Sequence, residues 1–389
     1  MLRMYLDHLI RRLICRTTGS GISIRHTGKP AMLSKRQESH FRAAWLVMLA
    51  TLLLAISPGN AEPVEKDAAV MAFRTGTLIS DEFRIASDTP GVELYVRNKR
   101  PLGLEPSSER TVLFVHGATY PAETSFDLQL DGLSWMEYIA LHGWNVYLVD
   151  LRGYGRSTRP GEMFQPAGEN KPIVTTDVAI RDVAAAVDFI RWRDGVRKLS
   201  LIGWSWGTTI MAGYTARNNH KVERLVLYAP VWVRETPSTI NTPGTLGAYR
   251  LVSKDAAHER WMRGVPETKA DALIPDGWFD IWANATWESD PQSADSGLLR
   301  APNGVIHDIR NYWMQGKTTW DPSDIRVPTF IVGGNWDRDT PPYMAKNILE
   351  RLVNAPVARR VEIAEATHSV IMEKNRMQLF REVQLFLQD

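Results

Sequence analysis

"LIGWSWGTTI", residues 201–210, places Ser205 between two glycines, each two positions away, after an apolar run and before a segment of helical period. On a sharp turn from strand to helix, side chains two residues before and after the central serine collide, and Gly203 and Gly207 relieve both collisions. Five residues alone are a weak signal. With a strand before and a helix after, the pattern points to a hydroxyl presented as a nucleophile at the edge of a sheet.

The flanking sequence predicts that sheet. "TLISDEFRIAS" (77–87) and "VELYVRN" (92–98) alternate apolar and polar residues around the turn "DTPG", the pattern of an antiparallel hairpin. "TVLFVHG" (111–117) and "NVYLVD" (145–150) read as strands covered on both faces. Further strands are expected at 198–203, 224–230, 327–334 and 359–366. Helical periods fall between them, at 134–143, 176–193, 206–218, about 342–353 and about 373–387. The second of these is expected to start at a Thr176 or Asp177 cap, to bury Val178, Val183, Val187 and Ile190, and to stop near Gly195. Strands and helices in alternation imply a mainly parallel sheet with right-handed crossovers, with the hairpin as its antiparallel edge.

Residues 231–325 interrupt the alternation. They hold Trp232, Trp261, Trp278, Trp282, Trp287, Trp313 and Trp320, half of the fourteen tryptophans, in short segments broken by "TPSTINTPG", "GVPET", "IPDG", "SDPQS" and "APNG". An inserted helical cap over the carboxyl edge of the sheet fits this composition, with most of its tryptophans packing it onto the body.

The formal charge of the 389 residues is only +2, but it is unevenly spread. Arg3, Arg11, Arg12, Arg16, Arg25, Lys29, Lys35, Arg36 and Arg42 face only Asp7 and Glu38 within residues 1–61, so the remainder is net acidic. An acidic body with no basic run argues against a nucleic-acid surface. "AAWLVMLATLLLAIS" (43–57), followed by Gly59 and Ala61, reads as a secretory signal peptide cleaved after Ala61, with Met32 a more natural start than Met1. An uncleaved membrane anchor is the alternative; the apolar stretch is shorter than the roughly 20 residues a spanning helix needs. Cys15 lies in this leader and is the one cysteine, so the mature body is expected to have neither disulfides, zinc thiolates nor a cysteine nucleophile.

A serine hydroxyl needs a base, and the base needs a group to orient it. For a serine on such a turn the acid should follow a later strand and the histidine a still later one. "FIVGGNWDRDTPP" offers Asp337, with Asp339 as its rival, and "EIAEATHSV" offers His368. His116, His142, His220, His258 and His307 have ordinary structural readings. Charge developing on a substrate oxygen requires backbone N–H donors, expected from Trp206 and from Ala118 in the loop shaped by His116 and Gly117.

The segments "VHGAT", "VDLRGYGRS", "GWSWGT", "GGNWDRDTPP" and "ATHSV" resemble the successive landmarks of the α/β-hydrolase superfamily, from residue 111 to 370. That resemblance implies an α/β-hydrolase fold; with the leader read at 1–61 and the cap at 231–325, the core is expected at 62–230 and 326–389. It implies structural roles for Asp150, Arg152 and Ser157. Serine at 205 departs from the aspartate nucleophile of epoxide hydrolases and haloalkane dehalogenases. Trp206 after the nucleophile is similar to proline iminopeptidases, although "HGATY" stands where those enzymes carry "HGGPG". "WANATWE" (282–288) resembles their amine-binding segment with altered spacing, which leaves Glu288 either an amine anchor or a solvated carboxylate.

The reading is therefore an exported, periplasmic or secreted, serine hydrolase that needs no cofactor or metal and acts on a small-molecule carboxylic ester, bulky or aromatic in view of the tryptophans. An iminopeptidase-like aminopeptidase, a cofactor-free perhydrolase and a non-catalytic secreted binding module are the alternatives.

Overall fold

The computed structural model describes residues 77–241 and 243–389. The leader, its signal peptide and Cys15 lie outside the described residues. The elements run β1 (Leu78–Ala86), β2 (Glu93–Pro101), β3 (Thr111–Val115), α1 (Ala122–Phe126), α2 (Trp135–Leu141), β4 (Asn145–Val149), α3 (Thr176–Asp194), β5 (Leu199–Trp204), α4 (Trp206–Asn218) and β6 (Val222–Tyr228). An insertion follows, with β7 (Tyr249–Val252), α5 (Lys254–Trp261), α6 (Trp278–Glu288), α7 (Ser293–Ser296), β8 (Leu299–Pro302) and α8 (Gly304–Asn311). The chain closes with β9 (Thr329–Gly334), α9 (Pro342–Leu349), β10 (Ala358–Ile363) and α10 (Arg376–Gln388).

Eight strands form one sheet in the order β1-β2-β4-β3-β5-β6-β9-β10. β1 and β2 are antiparallel, β2 meets β4 antiparallel, and every pairing from β4 to β10 is parallel. The continuous apolar runs arise because both faces are covered. On β3, Leu113 and Val115 join a core with α3, α4 and α9, while Val112 and Phe114 join a second core with α1, α2 and α10. The same alternation holds for Tyr147 and Val149 against Val146 and Leu148 on β4. Period-2 side-chain direction thus splits each run between two helical layers.

Two local expectations are corrected. The cap of α3 is Thr175, whose side chain makes no capping bond. The acceptor comes from the insertion instead: Thr176 N–H donates to Asp308 Oδ2 at 2.7 Å. An acceptor 132 residues away leaves no local trace. The insertion also contains more than helices, since β7 and β8 pair as a two-stranded antiparallel ribbon. Both strands are only four residues long, too short for a periodic signal.

Asp150, Arg152 and Ser157 take structural positions. Asp150 accepts from the N–H groups of Ala122 and Arg156, at 2.8 and 2.9 Å. Ser157 Oγ links the carbonyl of Asp150 to the N–H of Tyr95. Arg152 forms a buried ion pair with Asp182 of α3 and reaches Thr89 and Asp88 in the β1–β2 turn. Removing one member of such a pair strands the other without compensation. Asp182→Ala is expected to lower the unfolding free energy by about 3 kcal/mol, read from urea denaturation followed by tryptophan fluorescence.

Candidate active site

Ser205 stands between β5 and α4 with φ 56° and ψ −121°, a conformation that L residues rarely adopt. Two close approaches hold it there. A Cβ on Gly203 would lie 2.3 Å from the carbonyl oxygen of Gly207, and a Cβ on Gly207 would lie 2.4 Å from the carbonyl oxygen of Val115. The turn is also tied by Ser205 N–H to Tyr228 O at 2.9 Å and by Thr208 N–H to Ser205 O at 2.9 Å. Backbone strain of this kind persists only where its surroundings over-determine it.

The tryptophans beside the serine anchor it in opposite directions. Trp206 Nε1 donates to Thr176 Oγ1 at 2.9 Å, at the start of α3. Trp204 Nε1 donates to the carbonyl of His368 at 3.1 Å, and Tyr228 Oη donates to the same oxygen at 2.8 Å. The loop that carries His368 is therefore fixed through its backbone by residues of β5 and β6.

Asp337 follows β9 and is 1 % exposed. Its Oδ1 accepts from the N–H groups of Asp339 and Thr340, each at 2.8 Å. Its Oδ2 accepts from Thr340 Oγ1 at 2.8 Å and from His368 Nδ1 at 2.8 Å. A proton on Nδ1 leaves Nε2 as the acceptor nitrogen. Nε2 is buried without a hydrogen-bond partner among the described residues. His368 and Ser205 line one cavity, and no hydrogen bond joins Ser205 Oγ to Nε2. Such contacts often tighten only when substrate is bound.

Asp339 points elsewhere. It pairs with Arg260 of α5 through Nε and Nη2, at 2.7 and 2.6 Å, and accepts from Thr239 Oγ1. Burial alone would raise its pKa, but the Arg260 guanidinium, His368 and the Thr239 hydroxyl together hold the carboxyl well below the usual range.

Ala118 and Trp206 both border the serine. Trp206 opens α4, where no earlier turn supplies an acceptor for its N–H. Ala118 lines the cavity beside Ser205, and its carbonyl accepts from Tyr154 Oη at 2.9 Å and Arg250 Nη2 at 2.7 Å. His116 is wholly buried; desolvation lowers its pKa to about 4, so the ring is neutral at physiological pH. Nε2 accepts from Leu151 N–H at 3.1 Å, which leaves Nδ1 to donate to Gly117 O at 2.8 Å. That carbonyl belongs to the peptide whose N–H is Ala118's.

Glu288 is not brought to this cavity. It lies exposed at the end of α6 and borders a separate, open groove with Arg156, Arg159 and Glu123. The helix turns Trp282, Thr286 and Trp287 inward and leaves Asn284 and Glu288 exposed. Among the described residues no group of three His, Cys, Asp or Glu side chains is placed to hold a metal ion.

Sequence reasoning gave no place at the site to five residues. Tyr120, Arg260 and Trp261 line the cavity, and Trp282 stands edge-on to both Tyr120 and Trp261, with ring centroids at 4.7 and 5.3 Å. Glu373 lies behind the wall: its carboxylate accepts from Trp261 Nε1 at 2.9 Å and from Thr367 N–H at 3.0 Å, beside His368. Arg260, Trp261 and Glu373 belong to no motif, and Tyr120 and Trp282 stand in "HGATY" and "WANATWE", where attention falls on other positions. A second cavity shares Ser205, Ala118, Arg260 and Asp339 with the first and extends between Val305, Ile309 and Trp313.

With this geometry in hand, comparison with known proteins is direct. The family model for the alpha/beta hydrolase fold matches residues 110–375, and the chain belongs to that family. A curated relative, the AB hydrolase superfamily protein YisY of Bacillus subtilis (strain 168), is 25% identical over 270 residues, covering 68% of this chain and 87% of YisY. Among solved structures, the meta-cleavage product hydrolase CumD of Pseudomonas fluorescens IP01 superposes with a TM-score of 0.55 at 14% identity, covering 79% of this chain and 97% of its own. The 2-hydroxy-6-oxo-6-phenylhexa-2,4-dienoate hydrolase of Rhodococcus sp. strain RHA1 gives 0.54 at 14% identity, covering 80% and 100%. At these identities the likeness is one of fold. Both structural neighbours are hydrolases by name.

Burial raises the pKa of Glu373 from 4.5 to about 7, against the opposing hydrogen bonds from Thr367 and Trp261. The folded protein therefore keeps a proton that the unfolded chain releases, so this contribution is present below pH 4.5 and is lost as pH rises through about 7. Glu373→Gln removes it. Between those limits the wild type should lose up to about 3 kcal/mol of stability relative to the variant, measured by urea denaturation at a series of pH values.

Proposed function

We propose that the protein is an exported serine hydrolase that cleaves a carboxylic ester, with Ser205 as nucleophile, His368 as general base and acid, and Asp337 orienting His368. The observation that carries this reading is the Asp337–His368 pair, bonded at 2.8 Å, whose unpartnered Nε2 borders the cavity that the strained Ser205 also lines.

Ser205 Oγ attacks the ester carbonyl while its proton passes to His368 Nε2. The carbonyl π electrons move to oxygen, and the N–H groups of Ala118 and Trp206 receive that oxyanion. The oxyanion collapses, the carbon–oxygen bond to the alcohol breaks, and His368 returns the proton to the leaving oxygen. Water then attacks the acyl-serine by the same route and releases the acid.

Proton return requires the leaving oxygen to lie beside His368. The alcohol portion therefore occupies the cavity bordered by Tyr120, Trp261 and Trp282, and the acyl portion occupies the cavity between Val305, Ile309 and Trp313. Rigid aromatic walls favour a bulky or aromatic alcohol. The exposure of Glu288 outside both cavities gives the aminopeptidase reading no support.

A fluorophosphonate probe is expected to label Ser205 in the wild type and to fail with Ser205→Ala and His368→Ala, read by peptide mass spectrometry. Asp337→Asn should lower kcat for p-nitrophenyl esters by roughly 10⁴-fold. Equal labelling in wild type and His368→Ala would overturn the assignment. Faster hydrolysis of aminoacyl anilides than of esters would overturn the ester preference. Export is tested by N-terminal sequencing of the protein from its native host: a mature chain starting at Glu62 is expected, and a retained leader would favour the anchored form.

A further inference from the structure

We propose that Arg250, on the ribbon of the insertion, is a positioning residue that holds and electrostatically supports the oxyanion-binding loop. The inference rests on the serine-hydrolase reading and adds to it a residue that no motif contains. Arg250 Nη2 donates to the carbonyl of Ala118 at 2.7 Å and to Thr119 Oγ1 at 2.8 Å. Its Nη1 donates to the carbonyl of Pro302 at 2.7 Å, on the paired strand β8, which fixes the guanidinium from behind. One planar group thus joins the insertion to the two residues that follow Gly117.

Its charge has no counter-ion among the described residues. Every hydrogen-bond acceptor of Arg250 there is a neutral carbonyl or hydroxyl oxygen, and no described carboxylate pairs with it. Arg260, the other arginine reaching Thr119, is paired with Asp339. Desolvation lowers the pKa of Arg250 to about 10, which leaves it cationic at neutral pH. An uncompensated cation is costly in a poorly solvated site. The tetrahedral intermediate brings a negative charge to the N–H of Ala118, on the residue whose carbonyl Arg250 grips. That charge is absent from the bound ester, so the benefit appears in the transition state and not in substrate binding.

The test compares Arg250→Met, Arg250→Lys and Asn303→Ala with wild type. Asn303 Nδ2 donates to Gly247 O and braces the same ribbon without touching the loop. With a p-nitrophenyl ester, Arg250→Met should lose about 10- to 100-fold in kcat with KM within about twofold. Its Ki for a trifluoromethyl ketone, which forms the tetrahedral adduct, should rise in proportion. Arg250→Lys keeps the charge but not the two-pronged grip, and should recover part of the loss. Asn303→Ala should match the Tm loss while keeping kcat within about threefold. Wild-type kcat in Arg250→Met would overturn the proposal, as would an equal fall in Asn303→Ala. If Arg250→Met does not fold, Arg250→Lys decides: reduced kcat at unchanged KM supports the role, and wild-type kcat overturns it. A wild type that does not react with fluorophosphonate at Ser205 would overturn the hydrolase reading and this inference with it, whereas a reactive wild type with an undiminished Arg250→Met overturns this inference alone.

Discussion

The peptide backbone around Ser205 has no room for a side chain on either flank, and the geometry of the site depends on that exclusion. Gly203 lies against the first turn of α4, and Gly207 lies against the carbonyls of Val115 and His116 at the end of β3. The second contact matters as much as the first. It fixes the distance between the serine turn and the start of the loop that carries Ala118, so one pair of van der Waals limits positions the hydroxyl and the facing N–H group together. The strain recorded in the φ of Ser205 is sustained by this three-way meeting of β3, β5 and α4.

The central sheet and the order of the site residues were legible in the sequence for a physical reason. Buried parallel strands must be apolar on both faces, and a turn that excludes Cβ atoms must use glycine, so both constraints act within a few residues and leave local marks. The contacts that went unread are all distant ones. Asp308 caps α3 from 132 residues away, Arg260 engages Asp339 across 79, and Trp261 binds Glu373 across 112. A polar side chain satisfied by a partner that far along the chain looks like any solvated one. Glu288 shows the converse error: a spacing that resembles a binding segment sits on the outward face of its helix. The choice between Asp337 and Asp339 turned on which carboxylate the backbone amides of the loop enclose, and Asp337 takes two of them.

Three buried carboxylates lie at or behind the cavity wall, and each is balanced differently. Asp337 is satisfied by amides, a hydroxyl and an imidazole, and Asp339 by an arginine. Glu373 has neutral donors alone among its hydrogen-bond partners, and is the one of these whose pKa burial raises to about 7. Beneath the His368 loop, a carboxyl near neutrality avoids placing a second fixed negative charge close to Asp337. The charge balance on this side of the cavity therefore mirrors the uncompensated guanidinium on the other.

The bond from Thr176 to Asp308 bears on how such an enzyme can change over evolutionary time. α3 is a structural helix of the core, yet the acceptor at its amino end belongs to the insertion, and Gly304 packs so tightly there that a Cβ would lie 2.0 Å from the carbonyl of Val174. The segment that lines both cavities beside Ser205 is consequently not an interchangeable module. Replacing it wholesale would unseat the start of α3, whereas exchanging its cavity-facing side chains leaves the seam at Gly304 and Asp308 intact.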